Sequence, residues 1–217
     1  MWRILASLRL QNELTPVGPG PSGRRFLVYY LFVAVEPPPA IKFNLAMLCN
    51  GLPGAAWDNH EQFHLNLRFI GQVDGGQLED IRSALSVIKA DPFDITLQGV
   101  GFFPLKRVPE RIWVGVEKND ALQHLHQKIE SALVRIGLEP ERRKYAPHVT
   151  IGRFGQGPVK NDNPRRLAGY LARTSLFKVK PFTCTSFVLY SSTRSNQGPL
   201  YTKEAEFPLV PEGVIPQ

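Results

Sequence analysis

Two short segments of the chain carry the same arrangement of residue types, and each contains a histidine. The first reads Phe63-His64-Leu65-Asn66-Leu67-Arg68-Phe69-Ile70-Gly71, and the second reads Pro147-His148-Val149-Thr150-Ile151-Gly152-Arg153-Phe154-Gly155. Successive side chains of a β-strand point to opposite faces, so each histidine shares a face with the residue two positions later, Asn66 or Thr150. Each segment therefore offers an imidazole beside a side chain that can donate a hydrogen bond.

These groups suit the cleavage of a phosphate ester. Breaking a P–O bond needs a base that takes a proton from the attacking water and an acid that protonates the departing oxygen, and histidine titrates close enough to neutrality to serve as either. A Thr hydroxyl or Asn amide can donate to a phosphoryl oxygen where charge develops. If two similar halves place the strands side by side, His64 and His148 line one cleft. A single such strand is more often a polar stretch on a solvent face, and it is the repetition that favours catalysis.

The two motifs have a recognisable sequence context, which lies in residues 31–36, 99–104, 112–116 and 206–209. In this context the chain resembles the 2H phosphoesterase superfamily. Within it, the chain is most similar to the bacterial and archaeal RNA 2',3'-cyclic phosphodiesterases, also called the 2'-5' RNA ligase family. The similarity runs from about residue 30 to residue 209.

The resemblance implies an activity and roles for the two histidines. The activity is hydrolysis of a terminal 2',3'-cyclic phosphate on RNA to a 2'-phosphate, with no metal or cofactor and with 2'-5' RNA ligation as a side activity. By similarity, His64 is the proton donor and His148 the proton acceptor, although the residues alone do not fix which does what. Asn66 departs from the family, which has Thr or Ser there. Two alternatives stay open, an RNA- or nucleotide-binding module with weakened catalysis and a 2'-5' oligonucleotide phosphodiesterase.

Two arginines are candidate substrate ligands. Simple alternation places Arg68 on the face of His64, from which it can reach the phosphate or the next part of the strand. Arg153 matches an arginine that the family keeps after its second motif. Alternation puts Arg153 on the face opposite His148, unless Gly152 makes a bulge that turns it back.

Aromatic residues form the other group of substrate-binding candidates. Phe32 and Tyr190, and also Phe102, could stack on a base as aromatic platforms do for single-stranded nucleic acid, or they could pack in the core. Specificity contacts are expected from the loops spanning residues 104–111 and 191–200.

Bulk properties are consistent with an RNA substrate. The 217 residues are 43% hydrophobic, which supports a packed core, and 26 Lys and Arg against 19 Asp and Glu give a net charge of +7 that suits an anionic partner. Cys49 and Cys184 lie far apart and indicate neither a disulfide framework nor a metal site. The expected protein is a cytoplasmic monomer that does not span a membrane.

Periodicity and turn residues predict the elements that must position these groups. Helices are predicted over residues 38–50, 76–90, 120–136 and 164–173, and strands over 28–35, 93–100, 111–117, 182–190 and 201–207 besides the two motifs. We therefore expect an α+β fold with two pseudo-symmetric lobes, each an antiparallel sheet with outer helices, flanking a central cleft. Residues 28–211 form this domain, residues 1–27 a flexible basic extension and residues 212–217 a tail. A targeting segment or an RNA-contacting arm is the alternative for residues 1–27.

Overall fold

A computed structural model describes residues 28–105, 108–154, 163–195 and 198–211. The predicted N-terminal extension and C-terminal tail lie outside these residues. Within the described ranges, no helix has both the length and the apolar character needed to cross a membrane.

The strands form one large antiparallel sheet and one small one. Their ranges are β1 Tyr29–Val35, β2 Ala55–Trp57, β3 Leu65–Val73, β4 Phe93–Ile95, β5 Leu97–Leu105, β6 Val108–Val116, β7 His148–Phe154, β8 Phe182–Cys184, β9 Ser186–Ser195 and β10 Gly198–Pro208. The large sheet has the order β10-β9-β1-β3-β7-β6-β5, with β2 paired to β7, and the small sheet pairs β4 with β8.

The helices cover one face of the large sheet and bury its core. They are α1 Pro39–Ala46, α2 Gly75–Ser86, α3 Asp120–Arg135 and α4 Asn163–Thr174. The helix α2 buries one apolar stripe, with Leu78, Ile81 and Leu85 at most 4% exposed. Asn119 caps α3 by accepting a hydrogen bond from the Leu122 backbone N–H.

The large sheet consists of two halves that meet at β3 and β7. One half contains β10, β9, β1 and β3, and the other contains β7, β6 and β5. The two motif strands share a single pair of opposed residues, Leu65 and Val149, and both side chains are fully buried. The predicted α+β fold of two comparable antiparallel halves is confirmed, and the halves join into one continuous sheet.

Several boundaries differ from the predicted ones. The first helix ends at Ala46 rather than Asn50, because Leu48 and Cys49 donate to carbonyls three residues back and tighten the chain into a turn. The strands predicted over 93–100 and 182–190 each divide in two, since β4 and β8 pair with each other outside the large sheet. The described residues of both predicted specificity loops extend the β5–β6 and β9–β10 strand pairs, and residues 106–107 and 196–197 lie outside the described ranges. The short strand β2 was not predicted.

Candidate active site

The two motif strands cross at the Leu65–Val149 pair and bring both predicted polar pairs to one face of the sheet. Because these two residues point into the core, their neighbours along each strand point to the opposite face. Extended by one residue in each direction, the same antiparallel register places His64 opposite Thr150 and His148 opposite Asn66. The four residues at this crossing are His64, Asn66, His148 and Thr150, and all are partly exposed.

Both imidazoles are held in the same way. Nδ1 of His64 lies 2.8 Å from the carbonyl oxygen of Gln62, and Nδ1 of His148 lies 2.7 Å from the carbonyl oxygen of Ala146. A carbonyl can only accept, so each Nδ1 carries a proton and donates it. The remaining ring nitrogen, Nε2, is then the one that can accept a proton when the ring is neutral or donate one when it is charged.

The surroundings favour the neutral form of both rings. Burial lowers the pKa of His64 from its ordinary value of 6.5; the Gln62 carbonyl opposes this shift, and the charges of His148 and Lys42 add to it. Burial also lowers the pKa of His148, with the Ala146 carbonyl opposing and Arg111 adding to the shift. The charge of His148 is near enough to His64 to lower its pKa, as expected for two histidines on one face of the crossing.

Asn66 lies in the position expected from the sequence, with its amide at the crossing. Its Oδ1 atom is buried and finds no hydrogen-bond partner among the described residues. A buried acceptor without a partner is costly, by about 1–3 kcal/mol. The side chain at this position is therefore poorly accommodated in the protein alone.

A β-bulge decides the position of Arg153. The register between β6 and β7 shifts between Gly152 and Thr150, which makes Ile151 the extra residue of the bulge. The bulge reverses the alternation beyond it, so Arg153 lies on the face of His148. A bulge thus brings Arg153 to the cleft face, as the sequence allowed, although its extra residue is Ile151 and not Gly152.

Arg111 joins Arg153 on this face and was not among the predicted site residues. The two arginines are directly opposed on β6 and β7. Arg111 is close enough to His148 to lower its pKa, and both arginines act on the pKa of Asp58 and of Tyr201. A pair of guanidinium groups beside an imidazole is suited to binding a phosphate.

Arg68 lies on the other face of the sheet, so the prediction that it shares the face of His64 is wrong. The register between β1 and β3 shifts at Leu67, and this second bulge turns Arg68 toward the helices. Its side chain is 8% exposed, forms an ion pair with Glu130 of α3 and donates to the carbonyl oxygen of Glu139. Arg68 therefore fastens β3 to α3 and points away from the cleft.

Phe32 and Tyr190 pack in the protein rather than forming an open stacking platform. Phe32 is 4% exposed, with Tyr190 stacked on it at 5.3 Å and His64 4.8 Å away, measured between ring centroids. Tyr190 is 7% exposed and donates its hydroxyl hydrogen to Glu36. These contacts favour the packing alternative for both residues, and a substrate-binding role for them stays a prediction. They form a wall behind His64.

The open aromatic surface lies beside His148 and was not predicted. The ring centroids of Phe103 and Trp113 are 5.2 Å apart, and those of Phe103 and His148 are 4.8 Å apart. The Trp113 ring lies flat on Gly101 of the neighbouring strand, where an added Cβ would be 2.4 Å from the indole. Phe103 is 37% exposed. The glycine in Gly-Phe-Phe-Pro opposite a tryptophan was the available signal, because only glycine admits this packing.

The opposite wall contains Tyr201, which the sequence also left unassigned. Its ring makes an edge contact with His64 at 5.1 Å and with Phe32 at 5.0 Å between centroids. In the part of the chain that the structure describes, no group of three or more His, Cys, Asp or Glu side chains could hold a metal ion. The described residues supply imidazoles, amide and hydroxyl donors and guanidinium groups at the crossing, with the Asp58 carboxylate near the two arginines.

An α+β fold with an antiparallel sheet in two halves, and with a histidine from each half at the crossing, has the features expected of a two-histidine phosphoesterase. The model of the 2'-5' RNA ligase superfamily matches residues 29–196, and the chain belongs to this family. The family predicted from the sequence is thereby confirmed.

Curated relatives named RNA 2',3'-cyclic phosphodiesterase are similar over most of the chain. The protein of Thermotoga maritima is 33% identical over 150 residues, which are 68% of this chain and 76% of the relative. That of Methanothermobacter thermautotrophicus is 31% identical over 151 residues, covering 69% and 79%. That of Geobacillus stearothermophilus is 32% identical over 168 residues, which are 76% of this chain but only 51% of that longer protein.

Solved structures agree with the fold. The protein TT0787 of Thermus thermophilus superposes with a TM-score of 0.68 at 22% identity and covers 84% of this chain and 99% of its own. E. coli LigT in apo form superposes with a TM-score of 0.66 at 21% identity and covers 84% and 98%. At this level of identity the solved structures establish the fold alone.

Proposed function

We propose that this chain is an RNA 2',3'-cyclic phosphodiesterase that opens a terminal cyclic phosphate to a 2'-phosphate. The observation that carries the proposal is the pair of imidazoles at the β3–β7 crossing, each with Nδ1 bound to a backbone carbonyl and Nε2 left for chemistry. The names of the relatives in Thermotoga and Methanothermobacter support the substrate class. E. coli LigT, which shares the fold, has been solved in complex with 3'-AMP, and this is consistent with a nucleotide ligand here.

The reaction needs one neutral and one protonated imidazole. The neutral ring, assigned to His148 by family similarity, accepts a proton from water at Nε2 while the water oxygen forms a bond to phosphorus. The bond from phosphorus to the ribose 3' oxygen breaks, and His64 gives its Nε2 proton to that oxygen. The products are a 3'-hydroxyl and a 2'-phosphate, and the two protonation states have exchanged. When the 5'-hydroxyl of a second RNA takes the place of water, the same groups support 2'-5' ligation: His148 accepts the hydroxyl proton as the 5' oxygen bonds to phosphorus, and His64 protonates the departing 3' oxygen.

Hydrogen-bond donors around the crossing hold the phosphate. In the proposed complex, Thr150 and Asn66 donate to the non-bridging oxygens, and the Arg111–Arg153 pair adds positive charge on the His148 side. The surface formed by Phe103 and Trp113 takes the terminal base by stacking. These donors and this surface complete a site from side chains of the chain alone.

Asn66→Thr tests whether the natural residue limits the rate. A hydroxyl replaces an amide whose Oδ1 is buried without a partner among the described residues, so both the free energy of unfolding and kcat are expected to rise. A gain in kcat of roughly 10-fold corresponds to about 1.4 kcal/mol of transition-state stabilisation, less than the full value of a donor. Steady-state kinetics and urea unfolding measure the two effects.

The matched control for this substitution is Asn66→Asp. The carboxylate has the shape of the amide but repels a phosphate oxygen, so kcat is expected to fall. An unchanged kcat in Asn66→Thr would show that the natural amide already donates as well as a hydroxyl.

The lowered histidine pKa values predict an acidic pH profile. The base must be neutral, so activity is lost as the pH falls through its pKa; the acid must be protonated, so activity is lost as the pH rises through its pKa. Burial lowers both from 6.5. The two limbs of a plot of kcat/KM against pH report the pKa values of the coupled histidine pair in the free enzyme. Both limbs are therefore expected below pH 6.5. An alkaline limb well above 6.5 would contradict the assignment of the acid to a buried imidazole.

An oligonucleotide assay in EDTA tests the proposed function directly. An RNA ending in a 2',3'-cyclic phosphate is incubated with the protein, and an otherwise identical RNA ending in a 3'-phosphate is the control. The proposal expects a 2'-phosphate product from the first substrate and no change in the second. Binding of the cyclic-phosphate RNA without any product would overturn it and favour the RNA-binding module. Product from a 2'-5' linked oligonucleotide alone would favour the alternative activity, that of a 2'-5' oligonucleotide phosphodiesterase.

The monomeric state and the cytoplasmic location stay predictions. Size-exclusion chromatography with light scattering checks the monomeric state.

A further inference from the structure

The two histidines are bound to similar carbonyls, but the two carbonyls are held differently. His148 is bound by the carbonyl of Ala146, which precedes Pro147. A residue before proline is confined to extended conformations, so the direction of the Ala146 carbonyl is restricted by the covalent chain. In the first motif Phe63 stands in place of the proline. The Gln62 carbonyl that binds His64 therefore needs another restraint.

A buried lysine supplies a contact at this point. Nζ of Lys42, on α1, donates to the backbone carbonyl of Glu61 at 2.6 Å and to the Glu36 carboxylate at 2.7 Å. Its side chain is only 8% exposed. Glu61 and Gln62 belong to the 3₁₀ turn His60–Gln62, which leads directly to His64. The bond from Lys42 thus fixes the peptide unit that joins Glu61 to Gln62.

Glu36 anchors the lysine in turn. It accepts from Lys42, from Lys203 at 2.6 Å and from the Tyr190 hydroxyl at 3.1 Å. Burial alone would raise the pKa of Glu36, but the hydrogen bonds from Lys203 and Lys42 outweigh it and lower the pKa to about 2. The carboxylate is therefore charged at neutral pH. These residues and His64 border one pocket of about 140 Å³, so the network lies directly behind the imidazole.

We infer that Lys42 is a positioning residue for His64, which fixes the turn His60–Gln62 so that the Gln62 carbonyl binds Nδ1 and directs Nε2 into the cleft. Lys42 thereby does for the first motif what Pro147 does for the second. The inference rests on the proposed function in assigning His64 a part in proton transfer. A buried lysine is costly unless its hydrogens are paired, which explains why it is tied to both a carboxylate and a carbonyl.

Lys42→Met removes the ammonium group while keeping an unbranched side chain. The Gln62 carbonyl loses its fixed direction, and kcat is expected to fall by roughly 10-fold to 100-fold because a small misplacement of an acid–base group is costly. KM is expected to stay within about 2-fold, since the phosphate ligands proposed above are untouched. Lys178→Met is the matched control, because it breaks an exposed lysine–glutamate pair, 3.1 Å from Glu117. The control is expected to keep full activity.

A readout independent of activity separates positioning from a general loss of stability. In the ¹⁵N NMR spectrum of the folded protein at a pH where both rings are neutral, each histidine is expected to show a protonated Nδ1. Lys42→Met is expected to mix the tautomers of His64 and to leave those of His148 unchanged, so the second motif is an internal control. Burial has the largest effect on the pKa of His64, followed by the Gln62 carbonyl and the charges of His148 and Lys42. Loss of the lysine charge moves the alkaline limb of kcat/KM to higher pH.

A second variant covers the case in which Lys42→Met does not fold. Glu36→Gln keeps the shape of the anchor but removes its charge, and it is expected to lower kcat in the same direction by roughly 3-fold to 10-fold. The inference is overturned if a folded Lys42→Met protein has normal kcat and an unchanged His64 tautomer. Where Lys42→Met does not fold, the same result in Glu36→Gln overturns it. If the natural protein does not hydrolyse the cyclic phosphate, the proposed function fails, while the NMR result still decides the role of Lys42.

Discussion

Replacing His64 or His148 by alanine is expected to lower kcat for cyclic-phosphate hydrolysis by about 10²–10⁴-fold, the contribution typical of a positioned acid or base. Each imidazole lies at the β3–β7 crossing with Nδ1 bound to a backbone carbonyl just before its strand, so its removal leaves the backbone pairing of the sheet in place. Steady-state kinetics on an oligonucleotide with a cyclic phosphate end measure the loss, and circular dichroism confirms that the variants fold.

The double variant sharpens this experiment. An acid and a base that act in one step are not additive, so His64→Ala with His148→Ala is expected to lose little more than either single variant. His124→Ala is the control, because His124 is exposed on α3 and the helix lies on the face of the sheet away from the cleft. Near-normal turnover by a folded single variant would remove that histidine from the mechanism.

Thr150→Val is expected to lower kcat by about 10²–10³-fold, which corresponds to about 2.7–4 kcal/mol for a lost donor at a developing negative charge. Valine matches the shape of threonine and is a good strand residue, so the substitution removes little besides the hydroxyl. In the described part of the chain, Thr150 Oγ1 makes no internal hydrogen bond, and its hydrogen is available to a ligand. The expected loss lies in kcat rather than KM, because the bond strengthens as charge develops on the phosphoryl oxygens.

Two further variants bracket the threonine result. Thr150→Ser keeps the hydroxyl and is expected to retain most of the activity. Thr202→Val, at an exposed position of β10, makes the same chemical change away from the crossing and is expected to have no effect. Equal losses in the serine and valine variants would show that Thr150 acts by packing and not through its hydroxyl.

The sequence predicted the parts of the site that depend on repeated residue types. A strand period of two was enough to bring His64 and Asn66 to one face and to do the same for His148 and Thr150. The same period failed for Arg68 and needed a bulge for Arg153, because extra residues in both motif strands reverse the alternation. The first strand contains two, one of them just before Arg68, and the second contains one. The composition of a strand does not reveal on which side of a bulge an arginine will lie.

The residues missed by sequence analysis depend on contacts between distant parts of the chain. Lys42 lies in a helix of mixed character, and only the folded chain shows that it reaches the Glu61 carbonyl. Trp113 lies in a strand that reads as an ordinary core strand, and Gly101 alone hinted that a ring would cover the neighbouring strand. Phe32 and Tyr190 were correctly placed beside the cleft, but their burial could not be known before the neighbouring rings were located.

The antiparallel crossing at Leu65 and Val149 gives the centre of the cleft an approximate local twofold axis. A half-turn about this axis exchanges the two imidazoles and the two small donors, so the centre by itself accepts a phosphate in either of two opposite poses. Which ester oxygen faces the acid must then be decided at the periphery, where one end has Arg111, Arg153 and Trp113 and the other has Lys42, Glu36 and Tyr201. A protein of this fold would therefore acquire the opposite regiochemistry, in which the other ester bond of the cyclic phosphate is broken, through changes in these surrounding residues and not in the histidines.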